Sequence, residues 1–214
     1  MEVLYLIILL ILSYVIGSIP TSVWVGKYFY GIDVREYGSK NAGATNTYRV
    51  LGAKAGIPVF ILDVFKGWLP VFIAENYKYL LPMSADNLLI PIIIGIVAVF
   101  GHIFPVFASF KGGKGVATLL GVTIAIQPIA AAICFSIFII LLLVTKYVSL
   151  GSLTAGIFFP IFINLIFGTP SISLLVFSIL AAVIIIITHK KNIIKLISAS
   201  ENKTYLLRKR INKI

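Results

Sequence analysis

Charge is what this chain has least of. Asp, Glu, Lys and Arg make up 12% of its 214 residues, where a soluble domain carries about a quarter. With 60% hydrophobic residues and a mean hydropathy of +1.08, that scarcity excludes a water-soluble globular protein. It also leaves no room for a separate soluble domain, so residues 1–214 are expected to form one integral-membrane domain. Cysteine is nearly missing as well. The single Cys134 sits in an apolar run, and one thiol cannot form an intrachain disulfide. No Cys or His cluster offers a metal site, no cofactor is implied, and no internal repeat or low-complexity linker interrupts the chain. The N-terminal Met-Glu-Val-Leu-Tyr-Leu-Ile lacks a basic n-region and a small-residue cleavage site, so it reads as a retained first span.

The charge that remains is lopsided, with 18 Lys and Arg against 7 Asp and Glu and a formal net charge of +11. In a soluble chain this would suggest nucleic acid. In a membrane chain it reflects the gathering of Lys and Arg on the cytoplasmic side, and no nucleic acid partner is expected. A span needs about 20 apolar residues. The apolar runs give spans over about 3–24, 55–74, 88–108, 150–167 and 172–188, and a sixth run over 116–144. Lys27, Arg35, Lys40, Arg49, Lys54, Lys111, Lys114, Lys146 and the basic tail from His189 to Ile214 all fall on one side if the run 116–144 crosses twice. Only Lys66, inside a span, and Lys78, on the other side, are left over. Gln127-Pro128 marks the turn, because proline breaks the helix ladder, and divides the run into spans 116–127 and 129–144. One tilted helix or a re-entrant pair are the alternatives for that run. The expectation is an all-α polytopic membrane protein with seven transmembrane helices, its N-terminus outside and its C-terminus cytoplasmic.

Four polar stretches then emerge on one face. They are Gly38-Ser-Lys-Asn-Ala-Gly-Ala-Thr-Asn46 with Arg49, Lys111-Gly-Gly-Lys-Gly115, Tyr147-Val-Ser-Leu-Gly-Ser152, and His189-Lys-Lys-Asn192. A phosphate site needs backbone N–H groups, hydroxyls, an Arg fork and a Lys, and each stretch supplies some of these. The loop Phe110–Thr118 is the focus. Its glycines let N–H groups turn toward one point, its lysines add charge, and a helix starting near Val116 would add its dipole. A plain glycine-rich turn between spans is the alternative. The loop is not a Walker A motif, which needs glycine where Ala108 stands and Ser or Thr where Gly115 stands; with no acidic pair to hold magnesium, ATP hydrolysis is not expected.

The residues themselves leave other roles open. Residues 41–51 read as a short interfacial helix capped by Ser39, with Ala42, Thr45 and Arg49 on one face; a positive-inside arginine beside a capping serine accounts for the same spacing. His189 and Asn192 lie one helical turn apart and could both meet a ligand, although a histidine snorkelling at the interface is the plainer reading. His102 reads as helix packing. Asp63 and Lys66, each costing about 2.5–3.5 kcal/mol at a helix centre, can pair as a salt bridge and support the site. No general base stands out. The His-x4-Asp pair of many membrane acyltransferases is absent, since Phe107 and Ile194 hold the places five after His102 and His189. There is also no Gly-x-Ser-x-Gly elbow.

Taken together, Gly17-Ser-Ile-Pro20, the Gly38–Asn46 stretch with Arg49, Asp63-Val-Phe-Lys-Gly67, Gly101-His-Ile-Phe-Pro-Val-Phe107, Phe110–Thr118 and His189-x-x-Asn192 resemble the bacterial acyl-phosphate:glycerol-3-phosphate acyltransferases. The resemblance runs over nearly the whole chain. It implies an inner-membrane enzyme with its site on the cytoplasmic face, catalysing the first acylation of phospholipid synthesis. Such an enzyme passes an acyl group from acyl-phosphate to the 1-hydroxyl of glycerol 3-phosphate, giving 1-acyl-glycerol 3-phosphate and phosphate. The acyl-phosphate would come from a peripheral partner enzyme that draws on acyl carrier protein. By motif, Ser39 and Arg49 form an essential pair, and Gly112, Gly113, Lys114 and Gly115 form the phosphate loop. Ser152, His189 and Asn192 bind substrate, and Glu201 is a structural acid. Three places depart from the family pattern: Lys40 where glycine is usual, Thr188 where arginine precedes the histidine, and Ala199-Ser200 where glycine often precedes the glutamate. The missing base implies a substrate-assisted reaction. A phosphate transporter would use the same ligands near the midplane within inverted repeats, and a scaffold would use only the basic tail on anionic lipid; neither accounts for a glycine loop at one membrane edge.

Overall fold

The structure is a computed structural model that describes residues 1–168 and 171–205. Thr169 and Pro170 of the expected last interhelical turn, and the end of the basic tail from 206 on, lie outside the described residues. Among the described residues, ten α-helices follow one another and no strand occurs: α1 Glu2–Gly17, α2 Thr21–Tyr30, α3 Ala44–Leu51, α4 Ala53–Asn76, α5 Leu89–Ile103, α6 Val116–Ile126, α7 Pro128–Thr145, α8 Val148–Phe167, α9 Ile172–Thr188 and α10 Lys190–Ile197. Four helical segments are long and apolar enough to cross a membrane, over residues 53–76, 89–108, 128–145 and 148–166. The pairs α1–α2 and α9–α10 qualify together but bend by 43° and 64°, and α6 is a shorter apolar helix.

Two breaks decide the shape. The apolar run 116–144 divides at Gln127, where Pro128 opens α7, as the missing proline N–H requires. The first expected span, 3–24, is not one helix. It breaks over Ser18–Pro20, and α2 then runs on to Tyr30. Pro20 has no N–H to give to Ile16 O, so the ladder of α1 ends before it; the carbonyl of Ile19, at the break itself, accepts from the Thr21 N–H at 3.0 Å and keeps a lone pair free. Lys66 of α4 takes it up, its Nζ donating to Ile19 O at 2.9 Å.

That contact belongs to a buried ionic group. Lys66 Nζ lies 2.8 Å from Asp63 Oδ1, with side chains 5% and 1% exposed. Thr21 Oγ1 at the start of α2 donates to the same carboxylate oxygen at 2.5 Å. The pair expected from the sequence therefore does more than cancel its own charge, because it ties α4 to both sides of the α1–α2 break.

Glycines set the helix spacing. A Cβ on Gly17 would lie 2.1 Å from Ala98 O, and one on Gly101 would lie 2.4 Å from Tyr14 O, so α1 and α5 meet backbone to backbone from both sides. Gly67 and Gly121 do the same for α4 and α6, at 2.1 Å from Thr118 O and 2.0 Å from Val64 O. Small residues at such crossings are how helices pack where no water drives them together. The main apolar core joins α4, α5, α6, α8 and α9 through Val71, Val99, Val122, Ile163 and Phe177.

Removing one member of the buried pair should cost far more than removing both. We expect Lys66→Met to lower unfolding stability in detergent by about 3–5 kcal/mol, as an orphaned buried charge does. Asp63→Leu/Lys66→Met should recover most of that loss, with thermal unfolding as the readout. Equal stability for the two variants would show the pair to be incidental.

Candidate active site

The turn-rich stretch between α2 and α3 is held by side chains. Arg35 donates from Nε and Nη2 to Asp33 and from Nη1 to Ala108 O at 3.1 Å. The guanidinium holds the Asp33 carboxyl down to about 2, so this clamp between the α2–α3 and α5–α6 connections stays ionised. Asn46, buried in α3, donates from Nδ2 to Val34 O and Tyr37 O and accepts from the Ser39 N–H at 2.8 Å. Ser39 does not cap α3 as its position suggested. The helix starts three residues further on, at Ala44, with Gly43 at the N-cap and no side-chain cap, and Ala42 precedes it. Thr45 and Arg49 do lie on the face turned to the cavity. Lys40, where the related pattern has glycine, holds φ +58°, and Ala199, before Ser200 and Glu201, holds +52°. Both are left-handed backbone positions that glycine adopts without strain.

The glycine loop is built differently from the nest its composition suggested. The N–H of Gly112 donates to Ile103 O and that of Gly113 to His102 O, each at 3.2 Å, so both close the end of α5 and neither faces a ligand. Their missing side chains make room. A Cβ on Gly112 would lie 2.0 Å from His102 O, and one on Gly113 would lie 2.1 Å from His102 Nε2. The anion-binding parts of the loop are thus Lys114 and the start of α6. Gly115 takes φ +81° at the α6 N-cap, and the N–H groups of a first helical turn have no partner within the helix.

Lys114 is half-buried. Its Nζ donates to Asn192 Oδ1 at 2.6 Å, and Asn192 Nδ2 donates to both oxygens of Glu201, at 3.1 and 3.0 Å. Burial pulls the Lys114 ammonium down to about 8, against the attraction of Glu201 and with help from Arg49 and Lys195. Arg49 Nε donates to Thr204 Oγ1 at 2.9 Å and Nη2 to Asn202 O at 3.0 Å. His189 is buried at the α9–α10 bend. Its Nδ1 sits 2.8 Å from Ile185 O; a carbonyl can only accept, so the proton is on Nδ1 and Nε2 is the ring's acceptor. Ser152 Oγ donates back along α8 to Val148 O at 2.9 Å.

These groups share one cavity of about 1000 Å³. Ser39, Arg49, Lys114, Gly115, Ser152, His189, Asn192 and Glu201 line it, together with Asp63. Gly112, Gly113 and Lys66 do not; they stand behind it. The rest of the wall is apolar, from Ile57 and Phe60 of α4, Leu119 and Leu120 of α6, Phe135, Phe138 and Leu142 of α7, Phe159 of α8 and Ile185 of α9. The space therefore has a cationic polar part and a greasy part, as an amphiphile with an anionic end requires. Asn202 and Thr204, which hold Arg49, were not singled out from the sequence; Ser149, inside the polar stretch Tyr147–Ser152, also lines the cavity, and its buried hydroxyl has no partner among the described residues. Nothing local in the sequence marks the first two, since their role depends on the tail folding back. Among the described residues, no three His, Cys, Asp or Glu side chains cluster closely enough to hold a metal ion.

A match to the glycerol-3-phosphate acyltransferase family covers residues 7–199, and the chain belongs to that family. Within it, the chain is 48% identical over 197 residues to glycerol-3-phosphate acyltransferase 2 of Bacillus anthracis, spanning 92% of this chain and 98% of that one. It is 49% identical over 194 residues to the glycerol-3-phosphate acyltransferase of Fusobacterium nucleatum, spanning 91% and 95%. The fold matches the crystal structure of PlsY (YgiH), an integral membrane glycerol 3-phosphate acyltransferase, in its glycerol 3-phosphate form. That match has a TM-score of 0.84 and 38% identity over 95% of this chain and 97% of the other. The lysophosphatidic acid form of the same enzyme matches with a TM-score of 0.81 and 37% identity. The chain is accordingly an all-α integral membrane acyltransferase of this class.

The loop geometry yields a direct test. Gly113→Ala places a methyl inside the His102 ring contact, an overpacking that costs typically 1–3 kcal/mol. Acyltransfer should fall at least about tenfold while the helical content by circular dichroism holds. His102→Ala in the same chain makes room and should restore part of the activity. An unaffected G113A enzyme would mean that the loop does not need this seat.

Proposed function

We propose that the chain transfers an acyl group from acyl-phosphate to the 1-hydroxyl of glycerol 3-phosphate, releasing 1-acyl-glycerol 3-phosphate and phosphate. The observation that carries this reading is the cavity itself: Arg49 and Lys114 at a polar rim, continuous with an apolar chamber. Both proposed substrates carry a phosphate, and the donor also carries an acyl chain. Support comes from the related enzyme solved in glycerol 3-phosphate and lysophosphatidic acid forms, which correspond to the acceptor and the product.

Lys114, the α6 N-terminus at Gly115, Ser39 and Arg49 grip phosphate. Ser152, His189 through Nε2, and Asn192 place the glycerol hydroxyls, and the apolar wall takes the acyl chain. The hydroxyl oxygen attacks the acyl carbon as the bond from that carbon to the phosphate oxygen breaks. The proton passes to a phosphate oxygen of the substrates, so the reaction proceeds without a protein base. Positioning and charge stabilisation carry the rate. Asp63, Lys66 and Glu201 support the site and take no part in bond making.

The same reading places the protein in the bacterial inner membrane. The four long spans, the two bent pairs and α6 supply the seven crossings, with the N-terminus outside and the site at the cytoplasmic face. A peripheral enzyme that makes acyl-phosphate from acyl carrier protein hands over the donor.

Purified protein given labelled glycerol 3-phosphate with acyl-phosphate, acyl carrier protein thioester or acyl-coenzyme A decides the donor. Lysophosphatidic acid should form with acyl-phosphate alone. Equal turnover with either thioester would refute the donor assignment while leaving the acyltransferase class untouched.

A further inference from the structure

Residues 198–205, after α10, do not trail away. Residues past a last helix are commonly loose and exposed. Here the Ser200 N–H donates to Lys195 O at 2.8 Å, turning the chain back, and Glu201 and Thr204 are 7% and 4% exposed, while Asn202 and Lys203 between them are exposed. Both buried residues have definite seats. Glu201 accepts two hydrogen bonds from Asn192. Thr204 donates its N–H to Lys146 O at 2.8 Å, at the turn between α7 and α8, and Lys203 lies 5.7 Å over the ring of Tyr147 beside it. The segment therefore reaches from the α9–α10 bend to the α7–α8 turn, and Glu201, Asn202 and Thr204 line the cavity on the way.

We propose that this tail strap is the fourth wall of the site, and that Thr204 is a positioning residue that holds Arg49 ready for a substrate phosphate. The proposal rests on the role given to Arg49 above. What distinguishes the strap is the kind of acceptor it offers. Arg49 Nε meets a hydroxyl, Thr204 Oγ1 at 2.9 Å, and Nη2 meets a carbonyl, Asn202 O at 3.0 Å. Neither acceptor carries a charge, so the guanidinium is oriented without a direct ion pair; Glu201 acts on it only through space, and its fork is left for the anion. The carboxylate next in the chain, Glu201, is occupied by Asn192 instead. Thr204 is itself fixed through its backbone at Lys146, so its hydroxyl does not move with Arg49. A long side chain held in this way loses less freedom when it meets the ligand.

The test is a cycle of variants in the full-length protein, with KM measured for both phosphate substrates, kcat, and the thermal midpoint in detergent. Thr204→Val keeps shape and backbone but removes the hydroxyl. It should raise KM for one phosphate substrate by about tenfold, the worth of a hydrogen bond to a charged group, with kcat within about twofold and the midpoint unmoved. Thr204→Ser should restore the low KM, and Thr204→Ala replaces valine if the latter does not fold. In an Arg49→Ala background, T204V should add nothing further, because its effect passes through the arginine. An unchanged KM in T204V, an equal loss with and without Arg49, or a lower KM that shows the strap holding Arg49 away from substrate would each overturn the proposal. If R49A alone leaves both KM values intact, the role of Arg49 in substrate binding fails instead.

Discussion

A half-buried ammonium needs acceptors, and the way Lys114 finds them shapes the site. Its partner, Asn192 Oδ1, is 78 positions further along the chain and 2.6 Å away. The amide orientation is fixed from both sides: the lysine can only donate, so it takes the oxygen, and the Glu201 carboxylate accepts from the Nδ2 side. Through that one side chain the glycine loop before α6, the helix after the last span and the C-terminal tail are locked together. The acid that balances the charge stands one residue removed. Lys114 is thus oriented by a neutral group, as Arg49 is by Thr204, and both cations stay available to an anion.

This arrangement depends on backbone breaks deeper in the fold. Pro20 and Pro128 interrupt two apolar runs, and the glycine crossings bring α1 onto α5 and α4 onto α6 backbone to backbone, with Ser13 Oγ donating to Ile94 O at 2.7 Å across the first of them. The carbonyl of Ile19, at the first break, accepts from Lys66 as well as from the Thr21 N–H, and the lysine's charge is answered by Asp63. In an apolar medium each such group must be satisfied inside the protein, so the expensive residues of α4 are where the chain bends. His102 lies 3.7 Å from Asp63 through Nδ1, and its ring seats Gly113. The buried charges and the loop at the cavity are therefore neighbours in one continuous stack.

Much of this was legible in the residues. Hydropathy marked the apolar runs, and Pro128 marked the division of the longest. Asp63 and Lys66, three apart in a span, could hardly avoid each other, and the placement of four polar stretches on one face, with the family resemblance, pointed to Arg49, Lys114, His189 and Asn192, which the structure places around one cavity. What failed was local geometry. Gly112 and Gly113 looked like donors for a phosphate, yet their N–H groups close α5, because glycine composition shows that a backbone can come close without showing to what. Ser39 looked like a cap, but Asn46 fixes the turn and the helix begins later. Pro20 was seen near the end of a span and proved to break it. Asn202 and Thr204 were invisible, since nothing in a polar tail says that it folds back over a cavity formed by distant helices.

The central claim is that Lys114 is a live cation waiting for a phosphate. Titration calorimetry of glycerol 3-phosphate at pH 8, in two buffers of different ionisation enthalpy, tests it most directly. With the ammonium drawn down to about 8 in the free protein, close to half of it is neutral at that pH, and a bound dianion favours the charged form. The account predicts saturable binding with net proton uptake in the wild type, falling as the pH is lowered. In Lys114→Arg, whose side chain is always charged, binding should proceed without that uptake. Undiminished affinity in Lys114→Met, with no proton uptake in the wild type, would contradict it.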